Sequence, residues 1–181
     1  MKTLTIDRTK EWRVEDFLLL GEMNTPCQLI NGELIMSPAP TPRHQRVLRE
    51  LFKTVDALKL PGETFFAPID LYIDDRNVFQ PDLVHLSQAN KSLLSERGIE
   101  GPPDLVVEII SPSNSYTDRN QKKSAYLNFG VKEYWIIDPG NETIEIYTPG
   151  TGKDVPAFYL AGSGTVKSIT LPIEFELRQI F

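Results

Sequence analysis

The sequence predicts an α/β fold in which a central mixed β-sheet is flanked by helices. Residues 83–86 and 105–110 are short apolar runs rich in β-branched side chains, and proline stands shortly before each of them, so both have the length and composition of buried strands. Residues 43–60 instead carry apolar side chains at helical spacing, with charges on the opposite face. With 181 residues the chain is long enough for one full core, and we expect a single domain over residues 1–181.

The other elements are predicted from apolar periodicity and from turn residues. Asn31-Gly32 between two apolar segments is typical of a two-residue hairpin turn, and Pro61-Gly62 and Gly130 are expected to end helices. Thr117 or Asp118 is the expected N-terminal cap of the helix before Gly130. In order, we expect a short helix over residues 14–20, a hairpin over 28–36, the long helix over 43–60, a hairpin of residues 64–73 with 78–86, a polar surface segment over 88–98, a strand over 104–110, a loop over 111–115, a helix to residue 129, a hairpin of 133–138 with 143–147, and edge strands within 158–160 and 169–181.

Composition excludes several classes of protein. The sequence contains no run of about 18 apolar residues that could span a membrane, and residues 1–13 lack the apolar stretch of a signal peptide, so we expect a cytoplasmic protein without membrane contact. Cys27 is the single cysteine, which rules out an intramolecular disulfide and a cysteine-rich zinc site. We expect it to pack as a small hydrophobic residue.

The net charge of −6 argues against a surface that binds nucleic acid broadly, because affinity that is independent of sequence comes mainly from lysine and arginine neutralising phosphates. It does not exclude an enzyme that acts on phosphodiesters, since a local cluster of acids for metal also lowers the net charge. Two sets of basic residues are candidates for a local rim, and solvated helix faces are the alternative interpretation. They are Arg43, Arg46, Arg49 and Lys53, and Arg119, Lys122 and Lys123.

Three carboxylates stand in or beside the two predicted buried strands. Asp82 and Asp104 precede them, and Glu108 lies inside the second strand among valines and isoleucines. If Asp82 and Glu108 lie on neighbouring strands about 4 Å apart, they repel by roughly 4 kcal/mol at an effective dielectric constant near 20. A divalent cation or a lysine would relieve that repulsion.

A lysine is available on the helix that follows the second strand. Asp118, Lys122 and Tyr126 recur at intervals of four residues and therefore share one helix face. Such a helix packs behind the strand it follows, so Lys122 would reach toward Asp82 and Glu108. Carboxylates with ordered water suit Mg²⁺ or Mn²⁺, and a nearby lysine can orient an attacking water, which together are the parts of a phosphodiesterase site.

These residues resemble the PD-(D/E)xK nuclease superfamily, and within it the prokaryotic restriction endonuclease branch called the Uma-two family. The resemblance covers roughly residues 17–147. An ordered set of segments carries it, since Pro-Asp alone has almost no value as a motif. The segments are residues 29–34 (LINGEL), residues 37–44, Pro81-Asp82, residues 103–113 (PDLVVEIISPS), and the pattern Asp118…Lys122…Tyr126…Gly130-Val131…Glu133-Tyr134-Trp135.

The resemblance implies a restriction-endonuclease-like core and Mg²⁺-dependent endonuclease cleavage of DNA, with Mn²⁺ as a substitute ion. It implies Asp82 and Glu108 as catalytic metal ligands and Glu33 as a further acid at the metal. The superfamily pattern places its lysine two residues after the second acid, where this chain has Ile110, so the catalytic lysine role passes to Lys122. Superfamily members commonly dimerise, and a homodimer is expected by analogy.

Each of these residues also has a purely structural interpretation. Asp82 can be a turn or capping residue, Glu108 can form a structural ion pair with Lys122, and Lys122 can be a solvated helix lysine. Glu33 can be an ordinary exposed residue beside a turn. Asp104 is better interpreted as a strand-entry residue than as a ligand.

Two aromatic residues and one histidine complete the set of candidates. Tyr126 and Trp135 are expected as core aromatics rather than base-stacking residues. His44 can cap or pack its helix, or contact a phosphate near the site. Two other functions also stay open: a catalytically silent module that keeps the nuclease fold and binds nucleic acid or protein, and a structural or regulatory protein whose exposed sheet edges pair.

Overall fold

The computed structural model describes residues 10–21, 26–111, 115–150 and 154–181. Within these ranges the helices are α1 (Val14–Leu18), α2 (Pro42–Ala57) and α3 (Lys123–Phe129), with 3-10 turns at Gln88–Leu93 and Leu177–Gln179 and a π-helical turn at Thr117–Lys122 that continues into α3. The strands are β1 (Cys27–Ile30), β2 (Glu33–Met36), β3 (Gly62–Phe66), β4 (Leu71–Asp74), β5 (Asn77–Phe79), β6 (Leu83–Ser87), β7 (Leu94–Ser95), β8 (Gly98–Ile99), β9 (Leu105–Ile109), β10 (Glu133–Asp138), β11 (Thr143–Tyr147), β12 (Phe158–Ala161), β13 (Thr165–Lys167) and β14 (Glu174–Glu176).

These strands form two large mixed sheets and one small ribbon of β13 and β14. The order in the first sheet is β2-β1-β5-β4-β8-β7, and the order in the second is β12-β11-β10-β9-β6-β3. In the second sheet β9 and β10 are parallel, and the other neighbours are antiparallel. The predicted α/β class with a mixed sheet flanked by helices is confirmed, but the strands are divided between two sheets.

A crossover connection joins the parallel strands β9 and β10, as parallel neighbours require. The π-helical turn and α3 make this connection. Gly130 ends α3 in a left-handed conformation with a φ of 100°, which glycine adopts without strain. Tyr126 of α3 packs against Tyr134 of β10 with ring centroids 5.0 Å apart, so the helical segment is held over one face of these two strands.

Local turn signals predicted several elements correctly. β1 and β2 form a hairpin in which Ile30 pairs with Glu33, and Asn31 and Gly32 have φ values of 52° and 82°, as the favoured two-residue hairpin turn requires. α1 and α2 lie within the predicted helical segments, except that α2 begins one residue earlier, at Pro42. β10 pairs with β11 as a hairpin. β12 and β14 lie in the stretches where edge strands are expected, whereas β13 lies between those stretches, where no strand is predicted.

The predicted hairpin of residues 64–73 with 78–86 is only partly correct. β4 pairs with β5 in the first sheet, whereas β3 pairs with β6 in the second, with Phe66 opposite Leu83. The inner and outer parts of one nested hairpin therefore belong to different sheets. The apolar pattern of a strand shows which of its faces is buried, but it does not show which sheet the strand joins.

The predicted N-terminal cap at Thr117 or Asp118 is wrong. The chain is already helical at Ser115 and Tyr116, so both residues lie inside the helical segment, and Asp118 is 3% exposed. A capping side chain bonds to backbone N–H groups at the helix end, whereas Asp118 faces a cavity. The predicted loop over residues 111–115 falls largely on residues 112–114, which lie outside the described residues.

The second sheet buries both of its faces. Leu105, Val107 and Ile109 of β9 pack in one apolar cluster together with residues of α2, whereas Val106 packs in a second cluster with Tyr126 of α3. Side chains alternate between faces along a strand, so Glu108 lies on the face of Val106, toward α3.

Expectations about individual core residues are also met. Tyr126 and Trp135 have no exposed surface, and Cys27 is 3% exposed. No helix in the described part of the chain has both the length and the apolar composition that a membrane crossing needs.

Candidate active site

A cavity of about 510 Å³ opens between α2, the segments that flank β6 and β9, and the π-helical turn. Five ionisable side chains lie in its wall, and they come from four separate segments of the chain. They are His44, Asp82, Glu108, Asp118 and Lys122. Three residues predicted from the sequence, Asp82, Glu108 and Lys122, are therefore brought together.

Asp82 directly precedes β6, the neighbour of β9. Leu83 pairs with Val107, so continuing the antiparallel register by one residue places Asp82 opposite Glu108, on the same face of the sheet. Asp82 Oδ2 accepts a hydrogen bond from Ile109 N at 2.7 Å and lies 3.1 Å from His44 Nε2. Both contacts are made by one oxygen, and Oδ1 accepts no hydrogen bond from the described residues.

Glu108 is 4% exposed and is bonded from the crossover helix. Its Oε1 accepts hydrogen bonds from Lys122 Nζ at 2.9 Å and from Tyr126 OH at 2.7 Å. Lys122 is also 4% exposed. The ion pair between Glu108 and Lys122 that the sequence suggested is therefore present, and it lies in the cavity wall rather than on a solvated helix face. Such a partner is needed, because a buried charge costs several kcal/mol unless it is paired.

Asp118 is the acid that the sequence analysis did not assign to this cavity. Its Oδ1 lies 3.3 Å from Lys122 Nζ, and its backbone carbonyl accepts a hydrogen bond from Tyr134 OH at 2.9 Å. The wide π-helical turn brings residues four apart onto one face, and such turns are frequent at functional sites. Lys122 thus lies between two buried carboxylates.

Burial dominates the electrostatics of this cluster. Burial raises the pKa of Glu108, Lys122 lowers it, and the charges of Asp118 and Asp82 raise it again. The pKa of Asp118 is likewise raised, first by burial. Burial alone would lower the pKa of Lys122, but the two carboxylates outweigh burial and raise it. Lys122 therefore keeps its positive charge.

His44 stands in the first turn of α2, where its backbone N–H donates to the capping side chain of Thr41 at 3.2 Å. Burial would lower the pKa of His44, but the hydrogen bond and the charge of Asp82 outweigh it, and the pKa is raised. The sequence suggested that His44 either caps its helix or lies near the site. In the structure His44 lies at the N-terminal end of α2 and also contacts Asp82.

Two other predicted residues lie away from the cavity. Glu33 is exposed on β2 and does not belong to the cavity wall. Asp104 accepts hydrogen bonds from Ser87 N at 2.6 Å and from Lys132 Nζ at 2.6 Å, which fits the interpretation of a strand-entry residue.

The two candidate basic sets differ in exposure. The first set is exposed on α2, where Arg43 lies 3.9 Å from Glu142 and both Arg49 and Lys53 pair with Glu50. Arg119 instead bonds to Glu145, and Lys123 is 8% exposed, with its Nζ 4.5 Å from the centre of the Tyr147 ring. The second basic set therefore stabilises the helical segment and does not form a solvated face.

A divalent cation fits the donor set of this cavity. Carboxylate oxygens are the ligands that Mg²⁺ prefers, and Mg²⁺ is often held by only one or two of them because it keeps several waters. Asp82 and Glu108 each have one oxygen bonded by the protein and one that no described residue bonds. Within the described ranges, no three histidine, cysteine or acidic side chains stand close enough together to hold an ion, so an ion here would keep part of its water shell.

Comparisons with known proteins identify a family and a similar fold. A family model described as Uma2, putative restriction endonuclease, matches residues 14–179. The crystal structure of a putative nuclease belonging to DUF820 from Anabaena variabilis ATCC 29413 superposes with a TM-score of 0.76, over 93% of this chain and 97% of that chain, at 20% sequence identity. At this identity the structural likeness concerns the fold alone. No curated protein matches the sequence.

Proposed function

Because the chain belongs to the Uma2 family, described as putative restriction endonucleases, we propose that it is an endonuclease that hydrolyses phosphodiester bonds of DNA with Mg²⁺ or Mn²⁺. One observation carries this proposal. Asp82 and Glu108 lie on neighbouring segments of one sheet face, and Lys122 Nζ lies 2.9 Å from Glu108. A lysine on the helix thus lies beside the second acid, and this supports giving it the role that the superfamily pattern assigns to the strand position of Ile110.

In this proposal Asp82 and Glu108 hold the cation through the oxygens that the protein leaves unbonded. The cation, when bound, would polarise the scissile phosphate and lower the pKa of a bound water. Lys122 stabilises the negative charge that develops on the phosphate, because it stays charged and is fixed before the substrate arrives. Tyr126 OH fixes the orientation of Glu108. Glu33 is left out of the ligand set because it is exposed and lies outside the cavity wall.

The test is a cleavage assay on supercoiled, linear and single-stranded DNA, with Mg²⁺, Mn²⁺ or EDTA, and with RNA as a parallel substrate. Asp82→Asn and Glu108→Gln keep the side-chain volumes and remove one charge each. Glu33→Gln is the matched control, because it removes an acid of the same family motif that lies on an exposed strand.

We expect cleavage that requires the metal, disappears in both site variants and persists in Glu33→Gln. Circular dichroism of each variant shows whether the fold is retained. Cleavage that survives Asp82→Asn would remove Asp82 from the mechanism. Cleavage of RNA alone would replace DNA as the substrate.

A catalytically silent module that keeps the nuclease fold is the second candidate. It is favoured by the absence, among the described residues, of three acidic, cysteine or histidine side chains close enough to hold an ion. It predicts no cleavage of any substrate with either metal, but retained binding of nucleic acid or protein.

Two finer expectations accompany the proposal and rest on analogy with the superfamily and on sequence composition. They are a homodimer, in which two sites could address two strands, and a cytoplasmic location. Static light scattering of the purified protein measures the first, and a monomer mass would contradict it.

A further inference from the structure

Asp118 has a feature that its ion pair with Lys122 does not explain. The residue is 3% exposed, and its Oδ1 accepts no hydrogen bond from the described residues. Buried polar atoms in native proteins are nearly always hydrogen-bonded, and an exception calls for a missing water or ion. Asp118 lies in the cavity wall, so its carboxylate stands beside the space where a ligand would bind.

Lys122 cannot satisfy all the carboxylates that surround it. Its Nζ donates a hydrogen bond to Glu108 at 2.9 Å and meets Asp118 Oδ1 only as an ion pair at 3.3 Å. This one lysine is surrounded by three carboxylates, those of Asp82, Glu108 and Asp118. The nearby His44 already contacts Asp82. A divalent cation in the cavity would balance the remaining negative charge.

The position of Asp118 is fixed by the fold. The π-helical turn carries both Asp118 and Lys122, and the hydrogen bond from Tyr134 OH holds the Asp118 carbonyl at 2.9 Å. Tyr134 belongs to β10, the strand beside Glu108. The carboxylate is therefore held in place before any ligand binds.

We propose that Asp118 is a further residue of the cation site, and that its carboxylate accepts a hydrogen bond from a water in the hydration shell of the divalent ion. The inference rests on the proposed function and deepens it, because it gives a residue of the crossover helix the part that the family resemblance assigns to Glu33. Contact through water agrees with the spacing of the acids, which do not stand close enough to hold an ion by three direct bonds. It also agrees with the reluctance of Mg²⁺ to lose its waters.

The inference can be tested by measuring Mn²⁺ binding in the absence of DNA. Electron paramagnetic resonance monitors the binding as a loss of the signal of free Mn²⁺. Asp118→Asn is the main variant, which removes the negative charge, and Asp118→Ser is a second one, whose shorter side chain takes the carboxylate away from the cavity. Glu33→Gln is the matched control. Urea unfolding in EDTA confirms that each variant is folded.

We expect Asp118→Asn or Asp118→Ser to weaken Mn²⁺ binding by about tenfold or more, which is the usual effect of removing an outer-shell partner, and Glu33→Gln to leave it unchanged. Mn²⁺ affinity equal to that of the parent protein in a folded Asp118 variant would overturn the inference. So would a parent protein that binds no Mn²⁺, or an equal loss in Glu33→Gln. Because no DNA is present, Asp118-dependent Mn²⁺ binding by a protein that cuts nothing would support this inference while contradicting the proposed function.

Discussion

Substitution of Lys122 by methionine should destabilise the protein in a way that depends on pH. Methionine keeps an unbranched apolar stem but removes the ammonium group, which lies 2.9 Å from Glu108 Oε1 and 3.3 Å from Asp118 Oδ1. At an effective dielectric constant near 20, these contacts correspond to about 6 and about 5 kcal/mol of Coulomb attraction. The cost of burying the charges offsets much of this, and removal of one partner from a buried pair costs about 3–5 kcal/mol.

Protonation of a carboxylate limits the loss. In the parent protein the pKa of Glu108 is already raised, from 4.5 to about 8, with burial as the largest cause and Lys122 opposing it. Removal of the Lys122 charge takes away a group that lowers this pKa, so in the variant the pKa is raised further. The stabilising contribution of protonated Glu108 is present below pH 4.5 and is lost as the pH rises through the folded-state pKa. We therefore expect Lys122→Met to lower the free energy of unfolding by about 3–5 kcal/mol at about pH 9, where the parent Glu108 is ionised, and by less at about pH 5.5, where Glu108 is protonated in both proteins.

Urea unfolding followed by circular dichroism measures this difference at each pH, in EDTA. Lys59→Met is the control, because Lys59 pairs with Asp56 while its side chain is 78% exposed, and exposed pairs contribute little. A loss of the same size at both pH values, or a loss below about 1 kcal/mol at the higher pH, would refute the electrostatic argument.

Two further predictions concern residues outside the lysine cluster. Burial lowers the pKa of His85 below 6.5, whereas Asp82 outweighs burial and raises the pKa of His44 above 6.5. An NMR titration in EDTA, assigned with His85→Gln, should therefore show one imidazole with a pKa above 6.5 and one with a pKa below 6.5. Two imidazoles that titrate together would contradict this. The His85 contribution to stability is present above pH 6.5 and lost as the pH falls, and the His44 contribution is present below 6.5 and lost as the pH rises. Gly62→Ala should lose at least about 2 kcal/mol of unfolding free energy in urea, because φ is +131° and a Cβ would lie 2.0 Å from the Leu86 carbonyl oxygen. Gly162→Ala, with φ of +71° and open space around it, should lose about 1 kcal/mol, and equal losses at both positions would show that the close approach does not matter.

Asp82 and Glu108 could be predicted from the sequence because the residues that surround them in the sheet are also their neighbours along the chain. Asp82 and Glu108 accompany apolar runs of strand length, and Lys122 follows at a spacing that any helix would place on one face. The Asn31-Gly32 hairpin was equally predictable, because two positive φ values are needed there and these residue types supply them.

The remaining features depend on contacts between distant segments. His44 and Asp82 are 38 residues apart, and only the packing of α2 beside the ends of β6 and β9 brings them together. The sequence predicts Thr117 or Asp118 as the helix cap, because these residue types are ordinary caps near a helix start. No periodicity in the sequence announces the π-helical turn that moves Asp118 inside. The division of β3, β4, β5 and β6 between two sheets is likewise set by tertiary pairing and not by local pattern.

The crossover from β9 to β10 has a consequence for how this kind of site can diverge during evolution. Parallel neighbours cannot pair unless the connecting chain returns over a face of their sheet, and here the connection passes over the face that carries Glu108. In this chain the connection therefore keeps a helical segment within reach of that acid. An ammonium group lost from the strand can be regained from that helix by a single substitution, with the backbone unchanged. Relatives that keep this arrangement are then better recognised by the distance between the lysine ammonium and the glutamate carboxylate than by the sequence spacing of residues along β9.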